Sequence, residues 1–360
     1  EADDYPTHRL ANDRVEKVHT DIVLENAYLR ATFDRTHGGL ISLFDKEAQC
    51  ERIAAGRPAG LHFVDTEHAT SNAWNIGRHL TDTSLQAIQL SAKPGALRSQ
   101  LTLTERIRAS QAVTTVTLDA DSHALAYTVE VEWNEIAKPD VPVPVLSFVC
   151  PLSAPADTYR MDIPAGSIDH TEIPADLPAL SYDAACYGTR ALSLVTDSKY
   201  GYRNVDHALS VTLINTAGFP DPDPERGRHH VRLFLAATAA DAKTLKETAF
   251  SLTHPIVCCP ATRHAGVWPL SGTFLQMEAA SCVLCAVRLT SDGALLAQVY
   301  ETCGVADHVT LRLPFVPTSS ARVDLAGRML SPLPILGQTV AFDVPAHGLF
   351  AVRIEGKALL

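Results

Sequence analysis

The sequence predicts an all-β protein built from antiparallel sheets. Residues 125–133 alternate large apolar side chains with Thr and Glu, which is the period-two pattern of a strand with one buried face. Similar runs at 101–107, 113–118 and 282–287 are separated by turn residues such as Gly38, Gly39 and Gly293. One segment alone has a persuasive helical pattern, so crossover helices between parallel strands are not expected. Antiparallel sheets packed as sandwiches are therefore predicted.

The elements are expected to fall into three regions along the 360 residues. Residues 1–20 are predicted to be a linker or an extended segment, 21–255 a large β-sandwich domain and 256–360 a smaller C-terminal β-sandwich domain. A short helix is predicted near the junction, from about Thr238 to Leu252, with Thr238 as its cap. His254 and Pro255 follow directly and are expected to end this helix.

The charge balance excludes several classes of partner. The chain has 30 basic and 41 acidic residues, a net charge of −11, and no basic stripe, so nucleic acid is not an expected partner. No run of roughly 18 apolar residues is present, so a membrane partner is not expected either. The start, Glu1 to Pro6, lacks the features of a signal peptide, and such a chain is expected to be a fragment, a processed product or one subunit.

Eight cysteines raise the questions of disulfides and of metal binding. A chain of this length does not depend on disulfides for its core, so the reducing cytoplasm is the expected location. Cys282 and Cys285 have a zinc-like spacing, but positions three apart on a strand point to opposite faces. Buried free thiols are expected instead, and no metal site or cofactor is predicted in this chain.

The segment from Asp197 to His230 is the strongest candidate for a functional site. Two apolar strands, within 209–213 and 231–235, flank a loop that has three prolines and many charged side chains. Fixed polar loops on a sandwich often carry function. Asp221 and Asp223 share this loop and could form a catalytic carboxyl pair. Pro222 lies between them, however, and is expected to hold the two carboxyl groups apart. The alternative is turn capping by these carboxylates and a salt link to Arg226 or Arg228.

Two adjacent histidines end this loop. On the strand that follows, His229 and His230 are expected to point to opposite faces, so a shared metal site is not predicted. Instead, one of the two histidines is expected to fix the loop through hydrogen bonds.

Several segments of the chain resemble the β-sandwich half of the family 38 glycoside hydrolases, the α-mannosidases. Residues 197–201 and 220–229 are similar to that family's D-S-K-Y-G … P-D-P-x-x-x-x-G-x-H segment. Residues 24–34 and 38–47 resemble the opening of its sandwich, and 72–76 resemble its short D-A-W-D-I stretch. Residues 300–302 and 311–314 are similar to its last sheet, so the likeness extends over about residues 21 to 354.

The resemblance implies a large antiparallel supersandwich of the galactose-mutarotase type, followed by a smaller C-terminal β-sandwich. In this family the zinc ion and the nucleophilic Asp belong to an N-terminal catalytic barrel, so no catalytic residue and no metal ligand is assigned here. The sandwich lends side chains to the rim of the sugar pocket or to the barrel interface. Five positions match those segments: Trp74, Asn75, Asp221, Arg226 and His229. Trp74 is expected either to stack on a sugar ring or to lie in the core or an interface.

The likeness implies that this chain is the C-terminal sandwich portion of a retaining, zinc-dependent α-mannosidase, and that the chain alone is inactive. The implied partners are α-mannosides and the N-terminal barrel of the same enzyme, and a homo-oligomer stays open as a further partner. The sequence departs from the family at His230 and Val231, where an acidic and an aromatic residue are common, and at Cys150 after a strand that often contains Pro. These departures bear on substrate preference more than on fold.

A free-standing carbohydrate-binding or aldose-epimerase-like sandwich is the alternative. An epimerase needs a His and a Glu that converge in an open cleft as acid and base. His62, Glu67 and His68 lie on one segment and could serve, although Glu67 and His68 alternate in direction on a strand.

Overall fold

The computed structural model describes residues 21–69, 71–221, 223–263, 265–266 and 271–356. The predicted N-terminal segment 1–20 and Pro222 lie outside the described residues. The chain divides into two compact units. Within the described part, the first unit comprises residues 21–162 and 169–240, and the second comprises 163–168 and 241–356. The predicted division into domains at 255/256 stays a prediction.

Strands provide the regular structure described between residues 22 and 239. They are β1 (Ile22–Glu25), β2 (Leu29–Phe33), β3 (Leu40–Asp45), β4 (Cys50–Glu51), β5 (Gly60–Thr66), β6 (His79–Ser84), β7 (Ala87–Lys93), β8 (Arg98–Ile107), β9 (Ser110–Asp119), β10 (Ala124–Trp133), β11 (Val143–Pro151), β12 (Thr158–Ile163), β13 (Gly166–His170), β14 (Ile173–Pro178), β15 (Tyr182–Tyr187), β16 (Arg190–Thr196), β17 (Gly201–Asn204), β18 (Ala208–Asn215) and β19 (Gly227–Ala239).

A helix and further strands follow. They are α1 (Ala242–Thr253), β20 (Gln276–Glu278), β21 (Cys282–Leu289), β22 (Leu295–Glu301), β23 (Asp307–Arg312), β24 (Ser319–Val323), β25 (Met329–Pro332), β26 (Ile335–Leu336), β27 (Thr339–Val344) and β28 (Leu349–Glu355).

The strands β1 to β19 form three sheets. Their orders are β1-β2-β3-β4, then β13-β12-β15-β16-β19-β10-β9-β8-β7, then β14-β17-β18-β11-β5-β6. Consecutive strands such as β8, β9 and β10 pair antiparallel through short turns. β19 returns from far along the chain to pair antiparallel with β10 on one side and β16 on the other. Such non-local pairing is what joins the early and late halves of the nine-stranded sheet.

The central strand β10 shows how alternation in the sequence becomes two faces of a sheet. Its apolar side chains, from Leu125 through Trp133, are at most 3% exposed, as predicted. Glu130 and Glu132 on the opposite face are exposed. Successive side chains on a strand point to opposite faces, so one face of β10 enters the core and the other meets solvent.

The core of the first unit lies between the nine-stranded and six-stranded sheets. Trp133 of β10 packs near Phe63 of β5, with ring centroids 6.3 Å apart, and Tyr127 of β10 meets Phe148 of β11 edge-on at 5.0 Å. Each fully buried side chain of this size contributes about 1.5–3 kcal/mol relative to exposure. The buried indole also donates a hydrogen bond from Nε1 to Oγ1 of Thr216, 2.9 Å away. The polar edge of Trp133 is thus satisfied inside the core.

The predicted helix exists, but its start was predicted four residues too early. Thr238 is still part of β19, where it pairs with Ala191 of β16. The helix begins at Ala242 and is capped by Asp241, whose carboxylate accepts a hydrogen bond from the backbone N–H of Thr244 at 2.9 Å. Cross-strand hydrogen bonds therefore overrode the local capping pattern at Thr238. The predicted end is confirmed, because His254 is the residue that follows the last helical turn.

The second unit contains two smaller sheets and its own core. The sheet orders are β20-β23-β27-β26 and β21-β22-β28-β24-β25. Phe342 of β27 and Phe350 of β28 stack with centroids 4.5 Å apart, which places the two sheets face to face. The all-β prediction, with antiparallel sheets in a large part followed by a smaller part and one short helix, is confirmed.

Candidate functional site

Three loops gather at one end of the first unit. They are residues 67–78 between β5 and β6, 134–142 between β10 and β11, and 216–226 between β18 and β19, and we call them the loop cluster. Asn215 Nδ2 donates a hydrogen bond to the carbonyl oxygen of Asn72 at 3.1 Å, which joins the first loop to the start of the third. Gly218 lies so close to Ala137 that a Cβ on the glycine would be 3.0 Å from the alanine Cβ. The structure thus brings the Trp74 and Asp221 segments to the same end of the sheets.

The loop before β19 is held by its own side chains. Asp221 Oδ1 accepts a hydrogen bond from the backbone N–H of Asp223 at 3.0 Å, which is a local Asx turn. His229 donates from Nε2 to the carbonyl oxygen of Glu225 at 2.5 Å. The expected turn capping and the expected loop-fixing histidine are therefore both present.

The predicted salt link in this loop does not form. Among the described residues, neither Asp221 nor Asp223 makes an ion pair with Arg226 or Arg228. Asp221 and Arg226 are both exposed. The Asp221 carboxylate bonds to the backbone of its own loop, and the Arg226 guanidinium group extends into solvent. Both keep hydrogen-bonding capacity for a ligand or a partner surface.

Trp74 and Asn75 lie on a tight turn within the loop cluster. The backbone N–H groups of both residues donate to the carbonyl oxygen of Ser71, at 3.0 and 3.1 Å. Gly77 closes the turn, because a Cβ there would lie 2.0 Å from the Glu67 carbonyl oxygen. Trp74 is 68% exposed, so it does not belong to the core of this chain. The two other expected roles, stacking on a sugar ring and contact with a partner surface, are compatible with this exposure.

Other large apolar side chains on the same loops are exposed. Phe219 is 59% exposed, and Ile136 and Val141 are also exposed. Single exposed apolar residues are ordinary, but several on one set of neighbouring loops are typical of a binding surface.

The turn at residues 197–200 adjoins the same loop. Burial lowers the pKa of the Lys199 ammonium group, and the Glu225 and Asp197 carboxylates partly offset this change. The Asp197 Oδ2 atom lies 3.7 Å from Nη1 of Arg232 on β19. The DSKYG segment and the loop cluster therefore share an electrostatic environment, and neighbouring carboxylates keep the partly buried lysine charged more readily.

The described residues contain no group of three or more His, Cys, Asp or Glu side chains that could hold a metal ion. Cys282 is buried as expected, but the expectation was wrong for Cys285, which is exposed on a strand whose register shifts between Leu284 and Ala286. Burial raises the pKa of the Cys282 thiol to about 12, and partial desolvation of its sulfur atom raises the pKa of Cys285, although that residue as a whole is exposed. Neither thiol is thus poised as a thiolate ligand. Among the described residues, the Cys282 and Cys285 pair does not fit a zinc ion.

The side chains of the epimerase alternative are engaged separately. His62 Nδ1 lies 2.5 Å from Oδ1 of Asp82, and Glu67 Oε2 lies 3.8 Å from Nε of Arg78. His68 is exposed on the loop that follows. The structure pairs the candidate acid and base with different neighbours, and no geometry supports their joint action.

A second feature, which the sequence did not reveal as a site, lies on the outer face of the nine-stranded sheet. Here β9, β10 and β19 form a groove of about 420 Å³, which we call the strand groove. Its lining residues are Gln111, Val113, Glu130, Val131, Glu132, Arg228, His229 and His230. The alternation of β10 predicted that Glu130 and Glu132 face outward, but only the pairing of β10 with β19 brings Arg228 and His230 beside them.

Fold and site define an all-β protein of packed antiparallel sheets, with an exposed loop cluster and a polar groove but no metal centre among its described residues. Residues 24–223 match the family described as the glycosyl hydrolases family 38 C-terminal domain. The chain belongs to this family, and the resemblance stated from the sequence is confirmed. A comparison with curated proteins gives no match.

Solved structures agree on the fold. An α-mannosidase from Enterococcus faecalis V583 is 12% identical, with a TM-score of 0.74 over 92% of this chain and 42% of that chain. A protein in glycosyl hydrolase family 38 from Enterococcus faecalis is also 12% identical, with a TM-score of 0.73 over 92% of this chain and 44% of that one. The chain thus spans less than half the length of either structure. At this identity the likeness concerns the fold alone.

Among the described residues, no helix is both long enough and apolar enough to cross a bilayer.

Proposed function

We propose that this chain is the C-terminal β-sandwich portion of a retaining α-mannosidase that hydrolyses terminal α-mannosides. The observation that carries the proposal is the family match over residues 24–223. Its role would be to support a catalytic barrel and to complete the rim of the sugar pocket. The exposed loop cluster supports this role, because it presents an aromatic ring, a carboxylate and a guanidinium group on loops fixed by hydrogen bonds.

Each rim residue has a specific proposed task. The Trp74 indole would stack on the apolar C–H face of a pyranose, which its exposure permits. Asp221 would accept a hydrogen bond from a sugar hydroxyl, and Arg226 would donate one to a hydroxyl oxygen or to a barrel carboxylate. Asn75 lies beside Trp74 and can do both. His229 would position the loop through Glu225.

The reaction itself is proposed to take place on residues outside this chain. A retaining glycosidase needs two carboxyl groups about 5–5.5 Å apart, one of which forms a glycosyl–enzyme intermediate. The zinc ion that would bind the sugar hydroxyls is also proposed to be held outside this chain, in keeping with the side chains described above. In this proposal, the residues of this chain bind and orient the sugar but take no part in breaking the glycosidic bond.

We further propose that the protein works in the cytoplasm. Support comes from the eight cysteines, which are all free thiols, four of them exposed. Exposed thiols persist in a reducing compartment and tend to oxidise in a secretory one.

An activity assay tests the central proposal. The purified chain is incubated with an aryl α-mannoside and added zinc, and no hydrolysis above the buffer background is expected, because nucleophile and metal supply most of the rate acceleration. The matched control is the same chain joined to a family 38 catalytic barrel, in which turnover is expected. Hydrolysis by the chain alone would contradict the proposal.

A further inference from the structure

The strand groove presents two carboxylates, a guanidinium group and an imidazole on the outer face of the sheet. Glu132 lies directly opposite Arg228 in the β10–β19 register, and Glu130 lies opposite His230. Directly opposed side chains on antiparallel strands have Cβ atoms about 4.5–5.5 Å apart, which is close enough to pair. Yet within the described part of the chain none of these four side chains makes a hydrogen bond or an ion pair. Their polar atoms are available to a ligand.

The donors and acceptors of the groove match a particular ligand chemistry. Glu130 and Glu132 offer only acceptors when ionised, Arg228 offers only donors, and the Gln111 amide offers both. A sugar hydroxyl both donates and accepts, so a vicinal diol can give two O–H bonds to a carboxylate and receive two N–H bonds from a guanidinium group. Two carboxylates disfavour an anion and the guanidinium disfavours a cation. A neutral polyol is the remaining fit.

Size and shape agree with this chemistry. The groove of about 420 Å³ falls within the roughly 300–1,000 Å³ of typical small-molecule sites. Its floor includes the half-buried Val113, which offers an apolar patch for the C–H face of a sugar ring. His229 also borders the groove, but it pairs with the buried Val131, so its imidazole points to the opposite face from Arg228 and His230.

We propose that the strand groove is a carbohydrate-binding site for a neutral mono- or oligosaccharide, separate from the sugar-pocket rim formed by the loop cluster. Glu130 and Glu132 bind ligand hydroxyls as acceptors, and Arg228 and Gln111 bind ligand oxygens as donors. The groove itself does not depend on the proposed function. Only the choice of a mannose oligosaccharide as the first probe rests on it.

Valine methyl NMR of the full chain tests the site. The chain is labelled with 13C-methyl valine and titrated with mannotriose, and the Val113 methyl signals are expected to shift with saturation. Glu132→Gln and Arg228→Gln each remove one charge-assisted hydrogen bond, so at least about a tenfold weaker Kd is expected in each variant. Both residues are exposed, and unchanged remote methyl signals show that each variant folds.

Matched controls separate the possible results. Asp121→Asn changes an exposed carboxylate at the far end of the β9–β10 hairpin and is expected to leave the Kd unchanged. Ile88→Ala changes an exposed apolar side chain on β7, outside both the strand groove and the loop cluster, and is also expected to leave the Kd unchanged. Shifts of Val113 that both charge variants leave unaffected would overturn the proposal, as would the absence of shifts with both mannotriose and maltotriose. Binding of maltotriose without binding of mannotriose would support the strand groove as a carbohydrate site. It would also count against mannose as the substrate in the proposed function.

Discussion

His229 illustrates what a single side chain does in the candidate site. Its hydrogen bond to the carbonyl oxygen of Glu225 closes the last turn of the loop before β19. Glu225 has a φ of +61°, a conformation that non-glycine residues seldom adopt without support. The imidazole supplies that support and so fixes the direction in which the loop leaves the sheet. From the sequence, a loop-fixing histidine was predictable from its place at the loop end, but its partner was not.

Glu105 is a second residue whose role depends on burial. It lies on β8, is 5% exposed and accepts a hydrogen bond at Oε2 from Thr114 Oγ1 at 2.8 Å. Burial in the apolar core raises the pKa of this carboxyl group to about 7. The neutral acid is the form that the core accommodates, since an ionised carboxylate there would lose its hydration.

Glu105 should therefore make stability depend on pH. Because its folded pKa of about 7 exceeds its unfolded value of 4.5, its contribution is fully present below pH 4.5 and is lost as the pH rises towards 7. The loss amounts to about 3 kcal/mol at 1.36 kcal/mol per pKa unit. Urea unfolding at several pH values is expected to show Glu105→Gln gaining stability over the native chain by about this amount between pH 4.5 and 8.

Glu130→Gln is the matched control for this prediction. Glu130 is exposed on the nearby strand β10, so its replacement is expected to leave the pH dependence of unfolding unchanged. Parallel pH profiles for Glu105→Gln and the native chain would show that Glu105 does not titrate in the core.

At the scale of elements, the junction between β19 and α1 shows where local patterns compete with sheet pairing. Thr238 has a good capping pattern, yet it pairs with Ala191 in β16 and the helix starts only at Ala242. The sequence predicted the helix and its end, because the periodicity and the His254-Pro255 stop are local signals. It did not predict the start, because the length of β19 is set by its partner strand.

The cap at Asp241 gives a prediction for this element. Asp241→Ala removes the hydrogen bond to Thr244 N–H and is expected to lower the free energy of unfolding of the unit that contains α1 by about 1 kcal/mol. Urea denaturation followed by circular dichroism measures the effect. Asp241→Asn retains a capping oxygen and is expected to stay near the native value. Equal losses in the two variants would mean that charge, and not capping, is what Asp241 contributes.

At the scale of the whole molecule, the first unit assembles its candidate site from loops far apart in the chain. Asn72 and Asn215 meet through a side-chain hydrogen bond, and Trp133 reaches Thr216 in the core beneath. The family resemblance marked Trp74 and Asp221 separately. The structure adds that their loops are joined, which makes a shared surface a concrete hypothesis.

A variant of the complete enzyme tests that surface. In a family 38 mannosidase that carries this sandwich, Trp74→Ala is expected to lower kcat/KM by about two- to tenfold, the range that loss of an aromatic stacking contact predicts. Ile88→Ala replaces another exposed apolar side chain, on β7 and outside the loop cluster, and is expected to have no effect. Unchanged kcat/KM together with unchanged association of barrel and sandwich in Trp74→Ala would remove Trp74 from the site.

The sequence by itself determined the all-β class, the buried face of β10, the end of α1 and the family to which the chain belongs. The first three follow from short-range patterns, because strand alternation and helix-stop residues act over a few positions. The family follows from the resemblance of several separate segments to its motifs. The tertiary structure decided that Trp74 is exposed, that Glu105 is buried with Thr114, and that Glu132 faces Arg228 across β10 and β19. Each of these depends on which distant strands pair and in what register, and that choice is made by burial summed over whole sheets, which no local segment encodes.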